Sequence, residues 1–219
     1  MNGLSLRMQP QKNIIECYDR TASEYANKFI NELDKKHLDK ILLQSFALEN
    51  MQKGKLLDLG CGPGQTTKFL FDAGVKEIVG IDLSPEMVAI AKKLNPNLNF
   101  EVGDMLKLHF ADNSIGAAIA FYSIVHFAYD QISIAFKDIN RVMIPGGQFL
   151  FSFHVGTEPI HLDNFLDQPV NIDFYFFDTA RITSLLTETG FNIIDIIERE
   201  PYIGFEHPSR RAYLWAQTK

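Results

Sequence analysis

Three glycines at every second position, Gly60, Gly62 and Gly64, follow the apolar run Lys55–Leu59 in "KLLDLGCGPGQTT" and precede a helix-like segment. So dense a glycine turn suits a ligand that comes close to the main chain, where the free N–H groups and positive end of the next helix add attraction. Acidic residues recur at matching places. Asp58 ends the first strand-like run, Asp82 ends the second in "VGIDLSPEMV", and Asp104 follows the third in "EVGDMLKL". A carboxylate about twenty residues beyond a glycine turn can accept hydrogen bonds from both hydroxyls of a ribose. Asp104 can accept from the amino group of a base, and the Met105 N–H can face a ring nitrogen. The order along the sheet edge matches a ligand with an amino-acid end, a ribose and an adenine.

Other nucleotide motifs fit less well. The third glycine comes one place too early for the dinucleotide fingerprint G-x-G-x-x-G, and no Gly-Lys-Ser/Thr follows to make a P-loop. Asp58 is badly placed for a pyrophosphate and better placed for an ammonium group.

These residues need strand ends to hold them, and the sequence supplies a regular alternation. Strands are expected at 55–59, 77–81, 98–102, 115–121 and 148–154, and helices at 65–72, from Ser84-Pro85 onward, and at 131–143 up to Pro145-Gly146-Gly147. That pattern predicts an α/β fold with a mainly parallel sheet covered on both faces. A helix from Asp178 to Thr189 precedes two more strand-like runs, 191–200 and 211–217. Their short connection makes them an antiparallel pair. No repeat or linker interrupts the 219 residues, which read as one domain. Within it, 1–54 is a helical lead-in or lid, 55–154 a ligand-binding core, 155–177 a substrate cover, and 178–219 the closing helix and strand pair.

The segments "LLDLGCGPG", "GIDLSPEMV", "GDMLKLHF" and "INRVMIPGGQFLFS" resemble, in order and spacing, the class I S-adenosylmethionine-dependent methyltransferases. The resemblance is strongest over about 53–153. It implies a Rossmann-like seven-stranded sheet of order 3-2-1-4-5-7-6 with the last strand antiparallel, and S-adenosylmethionine as cofactor. Carried over by motif, the backbone around Gly60 and Gly62 approaches the methionine part and Asp82 holds the ribose. Asp104 and Met105 read the adenine, with Leu83 and Met87 beside the ring. Asp58, Gly64, Gly103 and Phe121 complete the expected lining, with Cys61 as small filler. Tyr18 and Tyr25 in "YDRTASEYANKF" are candidates to close over the cofactor, the alternative being helix packing on the sheet.

Methyl transfer from a sulfonium needs alignment and exclusion of water more than a fixed catalytic residue. Candidates for a base or acceptor contact are Tyr122 and His126 in "FYSIVHF", with His126 read as part of an apolar helical stretch, and His154 at the end of the fifth strand. Phe165 and Phe174–Phe177 could wall an apolar pocket, and Arg210 or Arg211 could hold an acidic substrate or pair at the surface.

The remaining features bound the function. A formal charge of −6 argues against a nucleic-acid partner. Cys17 and Cys61 do not make a disulfide framework, and no His/Cys/Asp cluster has metal-ligand spacing, so no metal is expected. No leader peptide or membrane span is evident, which makes the cytoplasm the expected location. The expected function is methyl transfer to a small-molecule acceptor. A non-catalytic binder of the cofactor and an NAD-linked oxidoreductase are the alternatives. A homodimer is compatible with the sequence.

Overall fold

The computed structural model describes residues 10–219. The start of the expected lead-in, and the stretch read for a leader peptide, lie outside the described residues. A seven-stranded sheet organises the chain, in the order β3-β2-β1-β4-β5-β9-β8. Its strands are β1 (Leu56–Leu59), β2 (Ile78–Asp82), β3 (Asn99–Val102), β4 (Ile115–Phe121), β5 (Met143–His154), β8 (Phe191–Arg199) and β9 (Arg211–Thr218). Counting only strands of this sheet, the order is 3-2-1-4-5-7-6. The last strand runs antiparallel to both its neighbours, as expected.

Alternation along the strands explains why both faces are covered. Ala118 and Ala120 of β4 belong to one buried cluster, with Phe149, Phe151 and Phe153 of β5. Ala117 and Ile119 point the other way, into a cluster with Leu150, Tyr213 and Trp215. A strand buried on both faces reads as a continuous apolar run, which is how 115–121 reads. Helix α2 (His37–Asn50) lays Leu43, Phe46 and Ala47, all fully buried, against the second face. Helix α5 (Tyr129–Val142) gives Ile132, Phe136 and Ile139 to the first. Truncating one of these phenylalanines to alanine removes about 3–5 kcal/mol.

Helix α1 (Gln11–Phe29) lies over the strand ends rather than on the sheet face, packed against α4 (Pro85–Leu94) and β7 (Gln168–Phe174). Asp19 makes the junction with α4: its Oδ1 accepts from Ser84 Oγ at 2.5 Å and from the Glu86 N–H at 3.3 Å. Ser84 also caps α4 by accepting from the Met87 N–H at 3.1 Å, the role its position before Pro85 suggested.

The fold departs from the sequence expectation in three places. Residues 155–177, read as a cover without assigned strands, form a separate hairpin, β6 (Ile160–Phe165) with β7. Helix α5 stops at Val142, and β5 begins before Pro145-Gly146-Gly147, absorbing that turn as an irregularity against β4. His126 lies in a turn after β4, not in a helix. The apolar stretch around it is buried because β7 crosses it, with the Tyr175 N–H donating to the Val125 carbonyl at 2.7 Å.

Candidate active site

The carboxyl ends of β1, β2 and β4 meet beneath α1, and two adjoining cavities open there. The smaller, about 100 Å³, runs past Asp82, Leu83, Met87, Gly103, Asp104 and Met105. The larger, about 460 Å³, lies under the β6–β7 hairpin and the 205–207 loop. Tyr18, Tyr25, Gly60, Gly62, Phe121 and Tyr122 line both, so the glycine turn stands at their junction.

The turn has a local reason for its composition. Gly60 adopts φ +75°, and a Cβ there would overlap the Ser123 side chain. Gly62, at φ +52°, faces Tyr25, whose ring carbon would be 3.8 Å from an added Cβ. Gly64 differs from the expectation. It is the left-handed N-cap of α3 (Gln65–Asp72), packs on Phe100 and Asn95, and is not part of either cavity wall.

Asp82 organises the smaller cavity. One oxygen accepts from the Gly62 N–H at 2.8 Å and the other from the Ser84 N–H at 2.9 Å, which ties the glycine turn to β2. Each carboxylate oxygen keeps a further lone pair for a ligand hydroxyl. Burial raises the Asp82 pKa, opposed by the hydrogen bonds from Ser84, Gly62 and Leu83. Asp104 accepts from the Leu106 N–H at 2.8 Å, and its other oxygen takes the Gln11 side-chain amide at 2.6 Å. That amide marks where a ligand amino group can donate.

Asp58 lines the larger cavity, is 2% exposed and accepts from the Thr67 hydroxyl at 2.6 Å. Burial pushes its carboxyl up to about 7, with Thr67 pulling the other way. Cys61 packs with Val88, Ala91 and Phe100, and burial raises its thiol pKa well above the ordinary value, which suits filler and not a nucleophile.

The three expected catalytic candidates have distinct settings. His126 is 4% exposed and bonded at both ring nitrogens: Nδ1 lies 2.9 Å from the Asp173 carbonyl and Nε2 lies 2.8 Å from the Tyr18 hydroxyl. A carbonyl can only accept, so Nδ1 carries the proton and Tyr18 donates to Nε2. Burial holds the His126 pKa down at about 4. His126 therefore joins α1 to β7, and its basic lone pair is already engaged.

Tyr122 has φ +53° at the end of β4, with its hydroxyl 2.7 Å from that of Tyr213, which donates to Asp39 Oδ1 at 2.6 Å. Lys36 sits 4.4 Å from the centre of the Tyr122 ring and pairs with Glu32 at 2.6 Å. His154 lines the larger cavity, its Nδ1 2.8 Å from Ser209 Oγ. Burial, then the charges of Arg211, His207 and Lys36, hold its pKa at about 3.

The sequence reading missed Gln11, Asp19, Lys36, Asp39 and Tyr213. None sits in a motif, and the bonds joining Asp39 to Tyr213 and Gln11 to Asp104 span 174 and 93 residues. Of the aromatics expected to wall a pocket, Phe165, Phe174 and Phe176 line the larger cavity, while Tyr175 and Phe177 are core residues. Arg210 pairs at the surface with Glu198 and Glu200, and Arg211 lines the larger cavity. Among the described residues there is no group of three or more His, Cys, Asp or Glu able to hold a metal ion, and no helix long and apolar enough to cross a membrane.

Known proteins are similar in sequence over part of the chain and in fold. Residues 57–151 match the family model described as a methyltransferase domain. Over 148 residues the chain is 29% identical to the demethylmenaquinone methyltransferase of Chlorobaculum parvum, a match covering 65% of this chain and 60% of that relative. The chain thus spans about three fifths of the length of curated relatives it matches. Among solved structures, the DhpI–SAH complex superposes with a TM-score of 0.74 at 20% identity, over 99% of this chain and 98% of its own. The cyclase SpnF superposes with a TM-score of 0.69 at 18% identity, over 98% of each chain. Both likenesses are of fold.

Proposed function

We propose that the protein transfers the methyl group of S-adenosylmethionine to a small-molecule acceptor. The observation that carries this reading is the pair of cavities meeting at the glycine turn, one bordered by hydrogen-bonding carboxylates and the other walled by aromatic side chains. Bound there, the cofactor supplies a methyl group on a sulfonium that leaves as a neutral thioether.

The chain's own residues account for the rest. Asp82 accepts from the ribose hydroxyls while its bonds to Gly62 and Ser84 fix the distance between turn and strand. Asp104 exchanges the Gln11 amide for the adenine amino group, with Met105, Leu83 and Met87 along the ring. Asp58 faces the ammonium group, whose positive charge favours the carboxylate and releases to solvent the proton that burial retains. Tyr18 and Tyr25, on α1, close over the junction and shield it from water. Their rings also suit a neighbouring cation.

Alignment in a dry site performs most of the work. With Nε2 of His126 engaged by Tyr18, and His154 and His126 both poor bases, the acceptor's nucleophile is one that needs no strong protein base. Tyr122 acts as a wall of the junction, its hydroxyl committed to Tyr213.

The test is incubation with methyl-labelled S-adenosylmethionine and a complete cell extract, followed by separation by mass. The reading expects label in the low-mass fraction. Label confined to RNA or protein would refute the small-molecule acceptor, and no transfer to any fraction would refute the activity.

A further inference from the structure

Arg211 is the feature of the larger cavity that methyl transfer does not explain. It opens β9 directly opposite His154 of β5 on one side and Arg199 of β8 on the other, which puts the three side chains in a row on one sheet face. It is 3% exposed yet lines the cavity. A guanidinium so deeply buried requires partners on all its edges.

Only one edge is served. Nη1 donates to the His207 carbonyl at 2.7 Å, to the Ser209 carbonyl, and to Ser209 Oγ at 3.0 Å. Nε finds no hydrogen-bond partner among the described residues. The nearest carboxylate, Glu206, stands 3.7 Å from Nε but is gripped on both oxygens by Arg199, at 2.6 and 2.8 Å. Lys36 is paired with Glu32. Glu206 thus serves Arg199 first and Glu32 pairs with Lys36, so Arg211 is the cation of this end with no carboxylate within hydrogen-bond distance. Asp39 lies nearby, but its Oδ1 is committed to Tyr213 and Arg199.

Much of the remaining cavity wall is apolar. Phe29, Leu33, Ile160, Phe165, Phe174 and Phe176 also line the cavity, with Phe176 beside His154 and His207 next to Arg211. A ligand complementary to both parts carries one compact negative group and an apolar body.

We infer that Arg211 anchors the acceptor, and that the acceptor is an amphipathic carboxylic acid whose carboxylate meets the unserved edge of the guanidinium while its hydrocarbon or ring portion reaches the cofactor. This names the substrate class of the proposed methyl transfer and rests on that reading. Arg211 holds the acceptor at a distance from the reacting atoms and is a specificity residue.

The experiment uses two probes of one shape, naphthalene-2-carboxylate and naphthalene-2-carboxamide, titrated calorimetrically into the full chain saturated with S-adenosylhomocysteine. The carboxylate is expected to bind about tenfold tighter or more, as a charge-assisted pair does over a neutral one. Arg211→Gln should abolish the preference, Arg211→Lys should retain part of it, and Arg210→Gln should leave it unchanged. The lysine variant keeps the test open if the glutamine variant fails to fold. Equal or tighter binding of the carboxamide, or an undiminished preference in Arg211→Gln, would overturn the inference while leaving the methyltransferase reading intact. Failure of wild-type protein to bind S-adenosylhomocysteine would overturn both.

Discussion

Acid sensitivity is a direct consequence of the way His126 is built in. Its ring donates to the Asp173 carbonyl and accepts from Tyr18, a geometry available only to neutral imidazole. Burial lowers its pKa from 6.5 to about 4. Between those values the unfolded chain binds a proton that the folded chain refuses, so stability is complete above pH 6.5 and is lost as pH falls toward 4. A shift of roughly 2.5 units corresponds to about 3 kcal/mol in full, of which about 2.5 kcal/mol is lost between pH 7 and pH 4.5.

Other groups titrate in the same range, and Asp58 opposes the effect because its folded pKa is raised, to about 7. The comparison that isolates His126 is therefore wild type against His126→Gln. At pH 7 the variant should be about 1–2 kcal/mol less stable, having lost one bond of the pair. By pH 4.5 that gap should close by about 2.5 kcal/mol, to parity or reversal. Urea unfolding at half-unit pH steps measures both curves. Parallel curves, with the gap constant from pH 7 to 4.5, would refute the buried neutral histidine.

Asp82→Ala removes the acceptor of two backbone N–H groups and of the proposed ribose contacts, at about 1.5–3 kcal/mol for a charged hydrogen-bonding group. Its affinity for S-adenosylhomocysteine should fall about tenfold to hundredfold by calorimetry, and unchanged affinity would remove the ribose assignment. Gly60→Ala combines a left-handed backbone with overlap on Ser123, and should lower both the melting temperature and cofactor affinity; a wild-type melting curve would show the turn to be slack. If the charge of a bound ammonium makes Asp58 release its proton to the buffer, binding heats near pH 7 should differ between buffers of different ionisation enthalpy. Equal heats in both buffers would separate Asp58 from the ligand.

The parts of this site that could be read from the sequence are those governed by local rules. Glycines that need a positive φ, a serine before Pro85, and apolar runs of strand length are all encoded within a few residues, so the turn, the β2 carboxylate and the succession of strands along the chain were legible. Sheet topology followed once the motifs were matched in order. Residues joined across long stretches of chain were not legible. Asp39, Tyr213 and Arg199 form one buried network through α2, β9 and β8, and nothing near any of them in sequence announces the others. His126 shows the same limit in another form. Its apolar neighbours suggested a helix, but they are apolar because a hairpin 47 residues away lies on them. Arg210 and Arg211 were indistinguishable in sequence. Strand alternation sends one to the surface and the other into the cavity.

The central claim is that the junction of the two cavities holds S-adenosylmethionine. Calorimetric titration of the wild-type chain with S-adenosylmethionine and with S-adenosylhomocysteine, using NADH as control, tests it most directly. The account predicts saturable one-to-one binding of both sulfur ligands and no heat from NADH. Binding of NADH alone, or of none of the three, would contradict it.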